Sequence, residues 1–192
     1  YKLKKYYLII FFNTKWGTNM TINKATTLSL KSISESVRTS LGKIEAESDL
    51  YRTYLQTIKK QLSEDFTNHL DLESFVPELS AELKVIDVLG EVIAKLKNAY
   101  LIENVTEDDL FVEESNEAAE LLPITLKGLR GNTFDDYKVY LKESVESDEI
   151  RFKAKTINTN IEHIIDSYES LQSLTKVVVE LDNLMRRVIE VA

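Results

Sequence analysis

The chain has two histidines, His69 and His163, the side chains best suited to hold a metal in a protein without Cys. A carboxylate-bridged metal bundle places a Glu three residues before each His on one helix face. Those positions hold Phe66 and Asn160. His163 has Glu162 beside it and Asp166 three residues on, but no further metal-ligating partner at useful spacing. It reads as an exposed residue flanking a helix stripe, and no metal is expected. The absence of Cys removes thiol nucleophiles, thiolate metal sites and a disulfide framework.

The run Gly128-Leu129-Arg130-Gly131-Asn132 has the look of a phosphate loop but lacks the Gly-Lys-Ser/Thr ending and a preceding strand, so a helix-to-helix turn is expected. No Gly-x-Ser-x-Gly elbow occurs. Acid pairs such as Glu113 and Glu114 sit in an acidic stretch without the apolar surroundings that would shift a carboxyl pKa. Asn19-Met20-Thr21 and Asn104-Val105-Thr106 match glycosylation acceptors; without a convincing secretory signal they are read as chance matches. The sequence therefore predicts no catalytic residue, no cofactor and a protein that is not an enzyme.

The elements that carry these residues are helices. With 192 residues, one domain or one elongated unit is expected, and only 5 Gly and 2 Pro point away from turn-rich β folds. The chain is organised around residues 150–192. Apolar residues recur at Ile150, Ala154, Ile157, Ile161, Ile164, Tyr168, Leu171, Leu174, Val178, Leu181, Met185 and Val188, alternating steps of 3 and 4. That rhythm predicts a long helix with a coiled-coil seam. One defect, the double step of 3 at Tyr168, Leu171 and Leu174, reads as a stammer that overwinds a coiled coil. Beyond it the apolar face widens with Val177, Leu184 and Val191, and a face that wide touches more than one neighbour.

A second long helix is predicted over 26–72, with the stripe Leu30, Ile33, Val37, Leu41, Ile44, Tyr51, Leu55, Ile58 and Leu62, and Ser48 on the seam. A third is predicted over 77–101, started by acceptors before Pro77 and rich enough in apolar residues to be the most buried. The short link between them favours an antiparallel hairpin. No basic residue lies between Lys97 and Lys127, and the eight acids from Glu103 to Glu120 predict a mobile linker. Pro123, Gly128 and Gly131 follow as breakers. Thr133 can cap the last helix, from Phe134 onward, with a break near Ser147–Glu149. The predicted organisation is a basic-apolar N-terminal segment (1–25), a helical hairpin (26–101), an acidic linker (102–132) and a long C-terminal coiled-coil helix (133–192). The predicted fold class is all-α: an elongated hairpin or bundle of three or four long helices of coiled-coil type.

Residues 1–34 hold six Lys and no acid, while the rest holds 18 basic and 32 acidic groups. An acidic body argues against nucleic acid as the main ligand. The apolar run Tyr6–Phe12 is too short to span a bilayer, which takes roughly 20 residues. Four readings fit the N-terminal segment: a signal-like stretch without small cleavage residues, an amphipathic anchor, an edge strand, or leader sequence ahead of Met20, the first Met.

Long helices, an acidic break and no chemistry make a pattern that resembles the small coiled-coil subunits of hetero-oligomeric assemblies, such as kinetochore or vesicle-tethering complexes. The resemblance implies a non-enzymatic structural subunit in the nucleus or cytoplasm whose partners are other helical proteins, with neither a membrane nor a small molecule as main ligand. The partner face expected is Leu174, Val177, Leu181, Leu184 and Val188. The alternatives are a self-contained helical bundle that binds a small ligand or acts as an enzyme of unrecognised type, and a peripheral membrane protein using Tyr6–Trp16.

Overall fold

Heptad spacing dictates how the long helices meet. The computed structural model describes the backbone of residues 24–65, 75–100, 113–130, 134–143 and 148–191, with side chains for 30–65, 75–100, 119–130, 134–138 and 151–188. The N-terminal segment 1–23, His69 and both glycosylation-like motifs lie outside the described residues. Five helices and no strand occur among them: α1 (Lys24–Asp65), α2 (Phe75–Ala99), α3 (Glu113–Gly128), α4 (Phe134–Glu143) and α5 (Asp148–Val191). The fold is all-α. At about 1.5 Å per residue, the 42 residues of α1 and the 44 of α5 make each of them over about 60 Å long.

Cross-helix contacts fix the directions. Lys153 pairs with Asp65 at 2.9 Å and Asn160 Nδ2 donates to Gln61 at 3.3 Å, so α5 runs antiparallel to α1. Lys97–Glu45 at 2.6 Å and Arg52–Asp87 at 2.9 Å make α2 antiparallel to α1 on its other side. Helix α3 turns back along α2, with Gly128 against Val85, and also touches α5. Helix α4 packs on α5 through Lys138–Glu162 at 2.6 Å, and its Phe134 and Tyr137 rings meet Phe75 at the start of α2. The result is a ring of α1, α2, α3 and α5, with α4 extending the side that α3 leaves short.

Each of the three longest helices keeps an unbroken 3-4 spacing of buried residues. In α1 the buried positions are Leu30, Ser34, Val37, Leu41, Ile44, Ser48, Tyr51, Leu55, Ile58 and Leu62. In α2 the line runs through Phe75, Leu79, Glu82, Ile86, Leu89, Ile93, Leu96 and, just beyond its end, Tyr100, with Val92 buried beside it. In α5 the line runs through Ala154, Ile157, Ile161, Ile164, Tyr168, Leu171, Thr175, Val178, Asp182 and Met185, with Ser167 buried beside it.

This corrects the expected stammer. The seam passes through Thr175 and Asp182, only 5% and 6% exposed, whereas Leu174 and Leu181 flank it half-buried. Counting apolar residues alone shifted the stripe by one position at Thr175 and Asp182. The same shift placed Ile33 on the seam instead of Ser34.

The expected linker is also corrected. Residues 113–128 of the 102–132 stretch are helix α3 and Pro123 lies inside it; 102–112 lie outside the described residues. An interior Pro costs a helix about 3 kcal/mol. Leu122 and Leu126, buried on either side of Pro123, offset that cost by packing into the core. The third predicted helix stands close to its expected bounds; the last is described as α4 and α5, with Asp148 and Glu149 of the expected break in the first turn of α5 and residues 144–147 outside the described residues.

Hydroxyls on the outer faces are satisfied locally. Thr39, Thr53, Thr57 and Thr159, for example, donate to carbonyls four residues back. Thr175 Oγ1 and Ser48 Oγ, by contrast, are buried with no hydrogen-bond partner among the described residues. Two substitutions on the α5 seam should therefore move stability in opposite directions. Ile161→Ala, at a fully buried position, should cost about 2–5 kcal/mol. Thr175→Val keeps the shape, removes an orphaned hydroxyl and should raise the melting temperature. Thermal melts followed by circular dichroism check both; an unchanged midpoint for Ile161→Ala would contradict the packing described.

Candidate functional site

The residues that sequence reasoning put forward for binding form a second seam on α5. Leu174, Val177, Leu181, Leu184 and Val188 are spaced 3, 4, 3 and 4 apart, the same repeat as the buried seam beside them. The structure brings them onto one stripe along the helix. Leu174, Leu181 and Val188 are half-buried against the core, while Val177 and Leu184 are 43% and 42% exposed. An isolated apolar surface residue needs no explanation. Two at i and i+7, backed by three more in a coiled-coil rhythm, form a continuous apolar strip.

At its lower end the strip opens into a shallow cleft between α1 and α5 of about 730 Å³, lined by Lys43, Ala46, Glu47, Asp166, Glu169 and Leu174 among others. Its carboxylates are spread along two helix faces, and no group of three or more His, Asp or Glu able to hold a metal occurs among the described residues. His163 is exposed, its ring stacked on Tyr54 at 4.9 Å between centroids. No described helix is long and apolar enough to cross a membrane.

The titratable groups with shifted behaviour lie elsewhere, and sequence reasoning missed the central one. Glu82 occupies a core position of α2 and is 3% exposed. Its carboxylate accepts the Tyr51 hydroxyl from α1 and the Arg130 backbone N–H, at 2.8 and 3.0 Å to its two oxygens, from just beyond the end of α3. Of the glycine-rich run, Gly128 ends α3 and Leu129–Arg130 leave the helix, held by a carboxylate; residues 131–133 lie outside the described residues. Gly128 allows the close approach, since a Cβ there would meet Val85 Cγ1 at 3.2 Å. Burial pushes the Glu82 carboxyl above its ordinary range, and the Tyr51 and Arg130 hydrogen bonds oppose that rise. Burial, then Glu82, push the Tyr51 phenol far up, so it stays a neutral donor. The available signal was the spacing: Glu82 falls on the 3-4 count through Leu79, Ile86 and Leu89.

A similar arrangement closes the other end. Tyr100 donates to Asp182, which also accepts Arg186 Nε at 2.8 Å, and Ser34 Oγ donates to the Tyr100 carbonyl at 3.2 Å. Burial and then Asp182 raise the Tyr100 phenol. Tyr137 donates to Glu78 and is raised by burial first. On the surface, Lys138 holds the Glu162 carboxyl below its usual range. In the Tyr51, Tyr100 and Tyr137 pairs a phenol acts as a fixed donor to a carboxylate. None of these groups faces a described cavity that could take a substrate, so the arrangement can hold helices in register. No protein-family model matches the chain, and no curated protein matches it.

Glu82 gives stability a defined pH dependence. With its folded-state pKa raised above the ordinary 4.5, the folded chain keeps a proton that the unfolded chain has released. The contribution is fully present below pH 4.5 and is lost as pH rises through the folded-state pKa. Glu82→Gln does not titrate, so its stability relative to the parent chain should climb with pH from 4.5 towards neutrality. Glu82→Ala should cost about 1–3 kcal/mol for each donor it orphans. Urea unfolding of all three proteins across this range measures both effects; parallel stability curves for the Gln variant and the parent chain would refute the first.

Proposed function

We propose that the chain is a non-enzymatic structural subunit of a hetero-oligomeric coiled-coil assembly, of the kinetochore or vesicle-tethering kind, working in the nucleus or cytoplasm through other helical proteins. The observation that carries this reading is the second heptad seam on α5. A helix that packs only inside its own bundle needs one apolar stripe; α5 carries two side by side, and the outer one leaves Val177 and Leu184 open. A partner helix with the same spacing would bury this strip as knobs into holes. The buried phenol–carboxylate pairs support the reading from the other side, because they join helices and face no described cavity.

In this reading affinity comes from several apolar positions together, and rim charges add only about 0–1 kcal/mol each. A Leu181→Asp, Leu184→Asp double variant should abolish partner capture from native extract, with bound proteins identified by mass spectrometry. The α1–α2 hairpin should stay folded by circular dichroism. Glu180 and Arg187 charge reversals should weaken capture only modestly. Retention of the same partners by the double variant, or loss of function on changing one surface carboxylate or His163, would refute the scaffold reading.

A further inference from the structure

The outer seam of α5 is complementary to itself. Its core positions are Leu174, Leu181 and Val188 on one line and Val177 and Leu184 on the next. The position immediately before Leu181 holds Glu180, and the position immediately before Val188 holds Arg187. Within the described residues neither forms an ion pair; Arg187 Nε donates only to the Asn183 carbonyl of its own helix, at 3.4 Å. The inner neighbours of the strip, Val178 and Met185, are buried in the bundle, so on α5 itself Glu180 and Arg187 charge its outer edge.

Resting on the reading of this face as a helix-docking surface, we infer that its occupant is a second copy of the chain, with the two α5 helices packed antiparallel about a two-fold axis between Leu181 and Leu184. In that register Leu181 of each copy layers with Leu184 of the other, and Val177 with Val188. Glu180 of each copy then stands beside Arg187 of the other, so one strip satisfies its edge charges twice. A parallel pairing would set Glu180 level with Glu180 and Arg187 level with Arg187 and match neither. The interface is isologous, as a two-fold requires. The strip from Leu174 to Val188 spans only about 21 Å at a rise of about 1.5 Å per residue, too short for an isolated coiled coil. Here, however, the bundle has already ordered both helices before they meet, which removes that part of the association cost. A small interface of this kind gives a weak, concentration-dependent dimer.

The test uses the full chain in sedimentation equilibrium over a wide concentration range. The parent chain should reach twice the monomer mass. Val177→Asp, Leu184→Asp, at two positions exposed enough to leave the fold intact, should remain a monomer with an unchanged melting curve. Glu180→Arg alone and Arg187→Glu alone should each weaken the dimer about tenfold, because each reverses two reciprocal pairs at once. The double exchange Glu180→Arg, Arg187→Glu should restore it. A monomeric parent chain at every concentration overturns the inference. So does a dimer that survives Val177→Asp, Leu184→Asp, or one that the charge exchange fails to restore. A monomer that still captures a helical protein, and loses it in the Leu181→Asp, Leu184→Asp variant, overturns the self-pairing while leaving the scaffold function standing.

Discussion

Burying the Glu82 carboxyl among Leu79, Ile86 and Leu89 is unfavourable unless its hydrogen-bonding capacity is met. No residue of α2 meets it. The Tyr51 hydroxyl comes from α1 and the Arg130 N–H from beyond the end of α3. The group is satisfied only when three elements are already together. Apolar packing along the seams would tolerate sliding by a heptad, because Leu and Ile fit many similar holes. A carboxylate with two assigned donors does not, and the register of α1, α2 and α3 follows from it.

The far end of the bundle uses the same device with different donors. Asp182 in α5 takes the Tyr100 hydroxyl, while Ser34 in α1 reaches the Tyr100 carbonyl. Tyr100 therefore ties the end of α2 to both of the longest helices. Between these two fixed levels the core is mostly aliphatic, and the orphaned hydroxyls of Ser48 and Thr175 lie there. The polar groups that join helices thus mark levels of the bundle, and the apolar residues between them supply the bulk of the burial.

This division also explains why α5 has a face to spare. Its inner seam can afford Thr175 and Asp182 because neighbouring Leu171, Val178 and Met185 keep the stripe apolar. Leu174, Leu181 and Val188 are then released to the flank, where with Val177 and Leu184 they build the outer strip. The polar residues inside the bundle and the apolar residues outside it are two consequences of one heptad phase.

The 3-4 rhythm of Leu30 to Leu62 and of Ala154 to Met185 was enough to predict long helices and an all-α fold, and the short link after α1 was enough to predict an antiparallel hairpin with α2. Periodicity reports the local turn of the chain, which the backbone enforces residue by residue. The five residues of the strip were likewise legible as an unusually wide face. Which line of that face is core was not, because a polar residue enters a seam only if another helix brings its partner. Sequence spacing sees Asp182 and Leu181 as equal claimants; Tyr100, reaching across from α2, decides for Asp182. Glu82 prevails over Leu83 for the same reason, through Tyr51 and Arg130. Helix α3 was hidden by its charge and by Pro123, both unfavourable locally, and it exists because Leu122, Leu126 and Leu129 find apolar surface in the core. The sequence determined the helices and their period; the tertiary structure decided their phase, since satisfying a buried polar group is a property of several helices and of none alone.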